Sequence, residues 1–70
     1  MYKINEKGLQ ELQKFNVSKI EERTGVHKVT IYGIKKGNNI KEKKVAYCLT
    51  KFINSEKEIA DYFDYVERDE

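Results

Sequence analysis

Apolar residues recur at three- and four-residue intervals along most of the chain, which is the spacing of helices with one buried face. Near the start, Leu9, Leu12 and Phe15 follow Asn5, a favourable N-cap residue. This pattern predicts a first helix over about residues 6–15, with its apolar stripe in the core.

The second helix has two possible starting points. Asn16 can cap it directly, or Ser18 and Glu21 can form a capping box, in which the side chain at each position accepts a hydrogen bond from the backbone of the other. Either start predicts a short helix that reaches Thr24, and its range is taken as about residues 17–24.

A turn containing glycine follows the second helix. Gly25 stands where the C-terminus of a helix requires a left-handed residue, and Val26 returns to the core. The third helix is expected over about residues 27–36 and ends at Gly37.

Two further helices are predicted beyond Gly37. An apolar stripe at helical spacing predicts the fourth over about residues 40–53. Ser55-Glu56-Lys57-Glu58 has the capping-box pattern, and the apolar rhythm that follows predicts the fifth over about 56–67. We therefore expect a single all-α domain over residues 1–70, with five short helices.

Charge is divided unevenly along the chain. Residues 1–53 carry 12 Lys and Arg against 5 Asp and Glu, a balance of +7, whereas residues 54–70 carry 2 against 7, a balance of −5. The basic part is suited to attract phosphates without regard to sequence, and DNA would repel the acidic part. The acidic part is thus expected to face solvent or a basic protein.

Composition argues against several classes of function. No apolar run approaches the roughly 20 residues that a bilayer span requires, and residues 1–5 lack the apolar region of a signal peptide. One cysteine, Cys48, and one histidine, His27, provide neither a zinc ligand set nor a nucleophile with its base. We expect an intracellular protein without catalytic residues, metal, cofactor, membrane contact or small-molecule substrate.

The third predicted helix has two different faces. On a helical wheel, the packing arc is formed by His27, Thr30, Ile31 and Ile34. The opposite arc is formed by Lys28, Val29, Tyr32, Gly33 and Lys36. This division is typical of a helix-turn-helix, in which the outward face of the second helix of the motif enters the major groove of DNA.

The segment NVSKIEERTGVHKVTIYGIKKG, residues 16–37, resembles the helix-turn-helix of the lambda-repressor/Cro-like family. The matching positions are Val17, Ile20, Thr24, Gly25, Val26, Thr30, Ile31, Ile34 and Gly37. The resemblance implies a compact five-helix DNA-binding domain, with the motif at helices two and three. It also implies a role like that of small temperate-phage switch proteins, in the cytoplasm of a bacterial host.

Two departures from the family pattern bear on DNA binding. Glu21 replaces a small alanine between the two helices, so either it is the capping carboxylate of the second helix or the helices splay slightly. At the tip, a more usual Ser/Gln/Arg set is replaced, which leaves fewer groups for bidentate contacts to bases.

The resemblance and the charge pattern together predict two groups of DNA contacts. The base-facing positions are Lys28, Val29, Tyr32 and Gly33. The phosphate-facing positions are His27, Thr30, Lys35, Lys36, Lys41, Lys43 and Lys44. The alternatives are a solvated lysine face, an exposed tyrosine, a glycine tolerated without function, and a helical hairpin that binds no nucleic acid.

The acidic fifth helix is either a solvated face that covers the core or a surface for a protein partner. The possible partner surface consists of Asp61, Tyr62, Asp64, Tyr65 and Glu67.

Two hypotheses of function follow. The first is a Cro-like transcription regulator that binds double-stranded operator DNA, as a monomer or a homodimer. The second is an anti-repressor or modulator of repression that binds the cognate phage repressor protein.

Overall fold

Five helices follow one another in the computed structural model, which describes residues 1–67. They are α1 (Glu6–Leu12), α2 (Val17–Thr24), α3 (Lys28–Lys35), α4 (Lys43–Ile53) and α5 (Ile59–Tyr62). Two strands, β1 (Tyr2–Ile4) and β2 (Phe63–Tyr65), lie before α1 and after α5. The predicted helical character is confirmed, and the strand pair is an addition that the all-α prediction did not include.

The first helix begins as its sequence predicts. The Asn5 side chain accepts a hydrogen bond from the Gly8 amide at 2.8 Å. The helix ends at Leu12 rather than near residue 15, because Lys14 and Phe15 turn the chain toward the next cap.

The β1 strand lies between two extended segments. It pairs antiparallel with β2, with Tyr2 opposite Tyr65 and Ile4 opposite Phe63. On its other side, Tyr2 exchanges two backbone hydrogen bonds of 2.7 Å with Ile40. Since Ile40 is held extended by this bridge, α4 begins at Lys43 and not at residue 40 as predicted.

The predicted fifth helix over 56–67 is wrong in most of its length. Only one turn forms, α5, and the Asp61 carboxylate accepts the Glu58 amide at its start at 2.8 Å. The chain then becomes β2, where aromatic residues suit a strand and β1 supplies the backbone partners. The apolar spacing of this short segment was compatible with either structure.

All five helices and both strands surround one core. Its buried apolar residues are Ile4, Leu12, Ile20, Val26, Ile31, Ile34, Ile40, Ala46, Leu49, Tyr62 and Phe63. No helix within residues 1–67 is both long enough and apolar enough to cross a membrane.

The first helix packs very closely against α5 and β1 at Gly8. A Cβ atom at Gly8 would lie 2.6 Å from the Tyr62 carbonyl oxygen and 2.9 Å from a side-chain carbon of Ile4. Glycine at this position lets the backbone of α1 lie directly against the end of α5 and against β1.

Candidate nucleic-acid interface

The turn between α2 and α3 is closed by its own hydrogen bonds. Gly25 takes the left-handed conformation at φ 76°, and its amide donates to the Glu21 carbonyl at 2.8 Å. The Thr24 hydroxyl donates to the Ile20 carbonyl at 2.7 Å and accepts from the Val26 amide at 3.1 Å. These bonds, with the burial of Val26, hold α3 in a defined position beside α2.

Protein groups already occupy the N-terminus of α3. His27 Nδ1 accepts a hydrogen bond from the Val29 amide, and the Glu21 carboxylate accepts one from the Lys28 amide, both at 3.1 Å. A carboxylate at the positive end of the helix dipole is favourable. Two backbone amides at this tip, those of Lys28 and Val29, are therefore already bonded to groups of the protein.

The start of α2 decides between the two capping alternatives. Asn16 Oδ1 accepts a hydrogen bond from the Lys19 amide at 2.7 Å, so Asn16 caps the helix directly. Glu21 caps α3 rather than α2, an arrangement that neither capping alternative predicted.

The predicted base-facing side chains of α3 point outward, apart from the glycine. Val29 is 66% exposed and Tyr32 is 54% exposed, and Lys28 beside them is exposed as well. On the opposite side Ile31 and Ile34 are buried in the core. The exposed face of α3 thus combines a cation, an aliphatic group and a phenol.

The packing arc of α3 is narrower than the helical wheel predicts. Thr30 and His27 were assigned to it, but both are exposed. Both side chains therefore face solvent.

Gly33 does not leave an open space on this face. Gly37, at φ 95°, donates its amide to the Ile34 carbonyl, and the Asn38 amide donates to the Gly33 carbonyl, both at 2.9 Å. These two bonds form a Schellman motif, which turns the chain back over the helix. A Cβ at Gly33 would lie 3.0 Å from the Asn38 side-chain nitrogen. The Asn38 side chain therefore fills the space beside Gly33 on this face of α3.

Gly33→Ala is expected to raise the melting temperature by a few degrees. Alanine is favoured over glycine in a helix by about 1 kcal/mol, and the exposed Asn38 amide can move the few tenths of an ångström required. Thermal unfolding followed by circular dichroism measures the shift. A lower melting temperature would show that Asn38 is held rigidly in place.

Lys35, one of the predicted phosphate-facing residues, already bonds to a group of the protein. Its ammonium donates a hydrogen bond to the Phe15 carbonyl at 2.9 Å, and the side chain is half-buried. This bond ties the end of α3 to the residue before the cap of α2. Lys35 thus has a structural role in joining the two helices.

The other predicted phosphate-facing residues are all exposed. They are His27, Thr30, Lys36, Lys41, Lys43 and Lys44. A groove between the start of α3 and the first turn of α4 is lined by His27, Thr30 and Lys44, and by one acidic residue, Glu42.

The first turn of α4 concentrates positive charge. Lys43 and Lys44 stand at the end of the helix where a cation opposes the dipole, and Glu42 makes no side-chain capping hydrogen bond there. This placement does not favour the helix itself, and it suits an anionic ligand.

These lysines are not neutralised by nearby carboxylates. Among residues 1–67 the structure contains a single ion pair, between Lys14 and Glu11 at 3.2 Å. Lys28, Lys36 and the lysines of the α4 turn therefore have no carboxylate of the described chain within ion-pairing distance.

The predicted partner surface is altered by the β2 strand. Tyr62 is only 3% exposed and belongs to the core, so it is not available to a partner. Asp61 is exposed, although its carboxylate caps α5. Asp64, Tyr65 and Glu67 remain exposed, and the Tyr65 ring, 68% exposed, lies edge-on against Tyr2 at 5.4 Å.

Neither Cys48 nor His27 belongs to a cluster able to hold a metal. Within residues 1–67 no group of three or more His, Cys, Asp or Glu side chains is arranged as a ligand set. Cys48 is half-buried on α4, and His27 uses Nδ1 to cap α3.

Comparison of the chain with protein-family models, with curated proteins and with solved structures found no match in any of the three.

Proposed function

We propose that the protein is a Cro-like transcription regulator of a phage or prophage, and that it binds operator DNA through α3 in the major groove. In this proposal α2 and α3 form a helix-turn-helix of the lambda-repressor type. The observation that carries it is the outward face of α3, fixed beside a hydrogen-bonded Thr-Gly-Val turn.

The exposed side chains of α3 match the chemistry of the major groove. Lys28 can donate to the acceptor atoms of guanine, Val29 can contact the methyl group of thymine, and Tyr32 can contact either a methyl group or a backbone oxygen. Because Glu21 and His27 already accept hydrogen bonds from the Lys28 and Val29 amides, the base contacts in this proposal are assigned to side chains of α3.

Phosphate contacts in this proposal come from the groove and its surroundings. His27, Thr30 and Lys44 line the groove, and exposed Lys36, Lys41 and Lys43 extend the basic surface beyond it. Each phosphate neutralised by a lysine releases counterions, so affinity should fall steeply as salt rises. Two copies on a near-palindromic site would place their α3 helices about 34 Å apart.

Fluorescence anisotropy of the purified protein on DNA that flanks its own gene tests the proposal. Unrelated DNA of equal length is the control, and both are titrated at two salt concentrations. Saturable binding that prefers the flanking DNA and weakens strongly with salt is expected. Equal, weak binding to both DNAs would contradict a sequence-specific regulator.

A second candidate is favoured by the outer edge of β2. Within residues 1–67, β2 pairs only with β1, so its other edge is open to an added strand. Tyr65 and Asp64 of this strand are exposed, and so is Glu67, which follows it two residues later. An extended basic segment of a partner, such as the cognate phage repressor, would add backbone hydrogen bonds and opposite charge.

Under this second candidate, Tyr65→Ala is expected to weaken a complex with the repressor encoded by a neighbouring gene by about tenfold, the scale of an interface tyrosine. Tyr47→Ala, which removes a tyrosine of similar exposure from α4, is the matched control and should leave the affinity unchanged. Calorimetric titration measures both. Failure of the unaltered protein to form a complex at micromolar concentration would exclude the second candidate.

A further inference from the structure

The Schellman motif at the end of α3 contains an unusual pair of residues. In this motif the residue after the left-handed glycine packs against the helix one turn back, and the contact is commonly hydrophobic. Here the two residues are Asn38 and Gly33, so the contact buries no apolar side-chain pair. A hydrophobic contact at the helix end therefore does not explain the choice of these two residues.

The amide group of Asn38 is available for an external contact. The side chain is exposed, and no residue in 1–67 forms a hydrogen bond with it. Only its backbone amide takes part in closing the motif. The carboxamide thus keeps both its donor and its acceptor.

Its location extends the exposed face of α3. The amide lies against Gly33, which is one helical turn after Val29 on the same side of the helix. Tyr32 and Lys36, both exposed, are the neighbours of Gly33 along this surface. Glycine at position 33 brings the amide close to the helix axis, where a longer side chain on the helix would otherwise stand.

We infer that Asn38 is a specificity-determining residue that recognises an adenine, with Gly33 as the residue that positions it. The inference rests on the proposed DNA-binding function and deepens it. An asparagine carboxamide can pair with adenine through two hydrogen bonds, in which its NH₂ group donates to N7 and its carbonyl oxygen accepts from the N6 amino group. This contact supplies the bidentate chemistry that Lys28, Val29 and Tyr32 lack.

The test compares the sites selected by three proteins from a pool of randomised DNA. The unaltered protein is expected to enrich a site with one strongly preferred A·T pair that Asn38→Ala no longer distinguishes. The loss in discrimination at that pair should be about ten- to hundredfold, while the other positions and the salt dependence stay the same. Gln10→Ala, which removes an exposed carboxamide from α1, is the matched control and should select the original site.

Gly33→Ala provides a second route to the same result. The added Cβ displaces the amide without removing it, so discrimination at the same base pair should fall while the protein remains folded, as its melting curve reports. Unchanged selection by Asn38→Ala, when the unaltered protein enriches a site, would overturn the inference and leave the proposed function intact. If the unaltered protein enriches no site, the proposed function fails and the inference fails with it.

Discussion

Gly8→Ala is expected to lower the melting temperature by roughly 10 to 20 °C, although alanine is the better helix-forming residue. The added Cβ would meet the Tyr62 carbonyl oxygen at 2.6 Å and the Ile4 side chain at 2.9 Å. A carbonyl in the backbone cannot move aside as a flexible side chain can. Overpacking of this kind costs about 3 kcal/mol, which is a large part of the stability of a small domain.

Thermal and urea unfolding of Gly8→Ala beside Gly33→Ala measures this effect with a built-in control. Both substitutions add one methyl group to a helical glycine, and both gain in helix propensity. They differ in the neighbour that the methyl meets, which is a backbone carbonyl at Gly8 and an exposed amide at Gly33. Equal responses of the two variants would show that propensity, and not the close approach of α1 to α5, decides their stability.

The second large effect is expected from Lys28→Ala combined with Tyr32→Ala. Under the proposed function, these exposed side chains supply the central contacts of α3, and their joint loss should weaken binding to the selected DNA site by about a hundredfold or more. Because Lys28 contacts a base rather than a phosphate in this proposal, the slope of log affinity against log salt should stay about the same. Anisotropy titrations over a range of salt concentrations measure both quantities.

A double variant with the same loss of charge and aromatic area is the control for this experiment. Lys7→Ala with Tyr65→Ala removes an exposed lysine of α1 and an exposed tyrosine of β2, neither of which belongs to the proposed DNA surface. It should retain the original affinity. Comparable losses in the two double variants would mean that general charge, rather than the face of α3, accounts for DNA binding.

The parts of the fold predicted correctly are those governed by local signals. α2 was predicted at about 17–24 from two possible caps, Asn16 and Ser18, and from Gly25 at its end. The structure has these bounds, with Asn16 as the cap. Ile31 and Ile34 were assigned to the core and Val29 and Tyr32 to the surface because their spacing follows the helical period.

The parts predicted wrongly depend on contacts between distant residues. The extended Ile40 is held by Tyr2, and β2 takes its strand form from pairing with β1. No local sequence pattern indicates that Ile40 pairs with Tyr2 or that β2 pairs with β1. A one-turn helix followed by a strand has the same apolar spacing over a few residues as a longer helix, so 56–67 was ambiguous.

In the candidate site, too, features set by local signals were predicted and those set by distant contacts were not. Exposure of Lys28, Val29 and Tyr32 followed from periodicity, but the use of Lys35 to bond the Phe15 carbonyl depends on a contact 20 residues away. Asn38 was not considered, although a glycine inside a helix followed by Gly-Asn was the signal that could have indicated it. The placement of its side chain against Gly33 depends on the turn of the chain back over the helix end, which no single position of the sequence indicates.

The pairing of the first residues with the last described ones also has a consequence for folding kinetics. Met1 and Val66 exchange two backbone hydrogen bonds, and Asn5 donates to the Tyr62 carbonyl at 2.8 Å. These contacts close a loop of nearly the whole described chain, and the entropy lost on closure must be overcome before the contacts contribute. The helices can form within microseconds. The docking of α1 and β1 onto α5 and β2 requires the two ends of the described chain to meet, and we expect it to be the slower step.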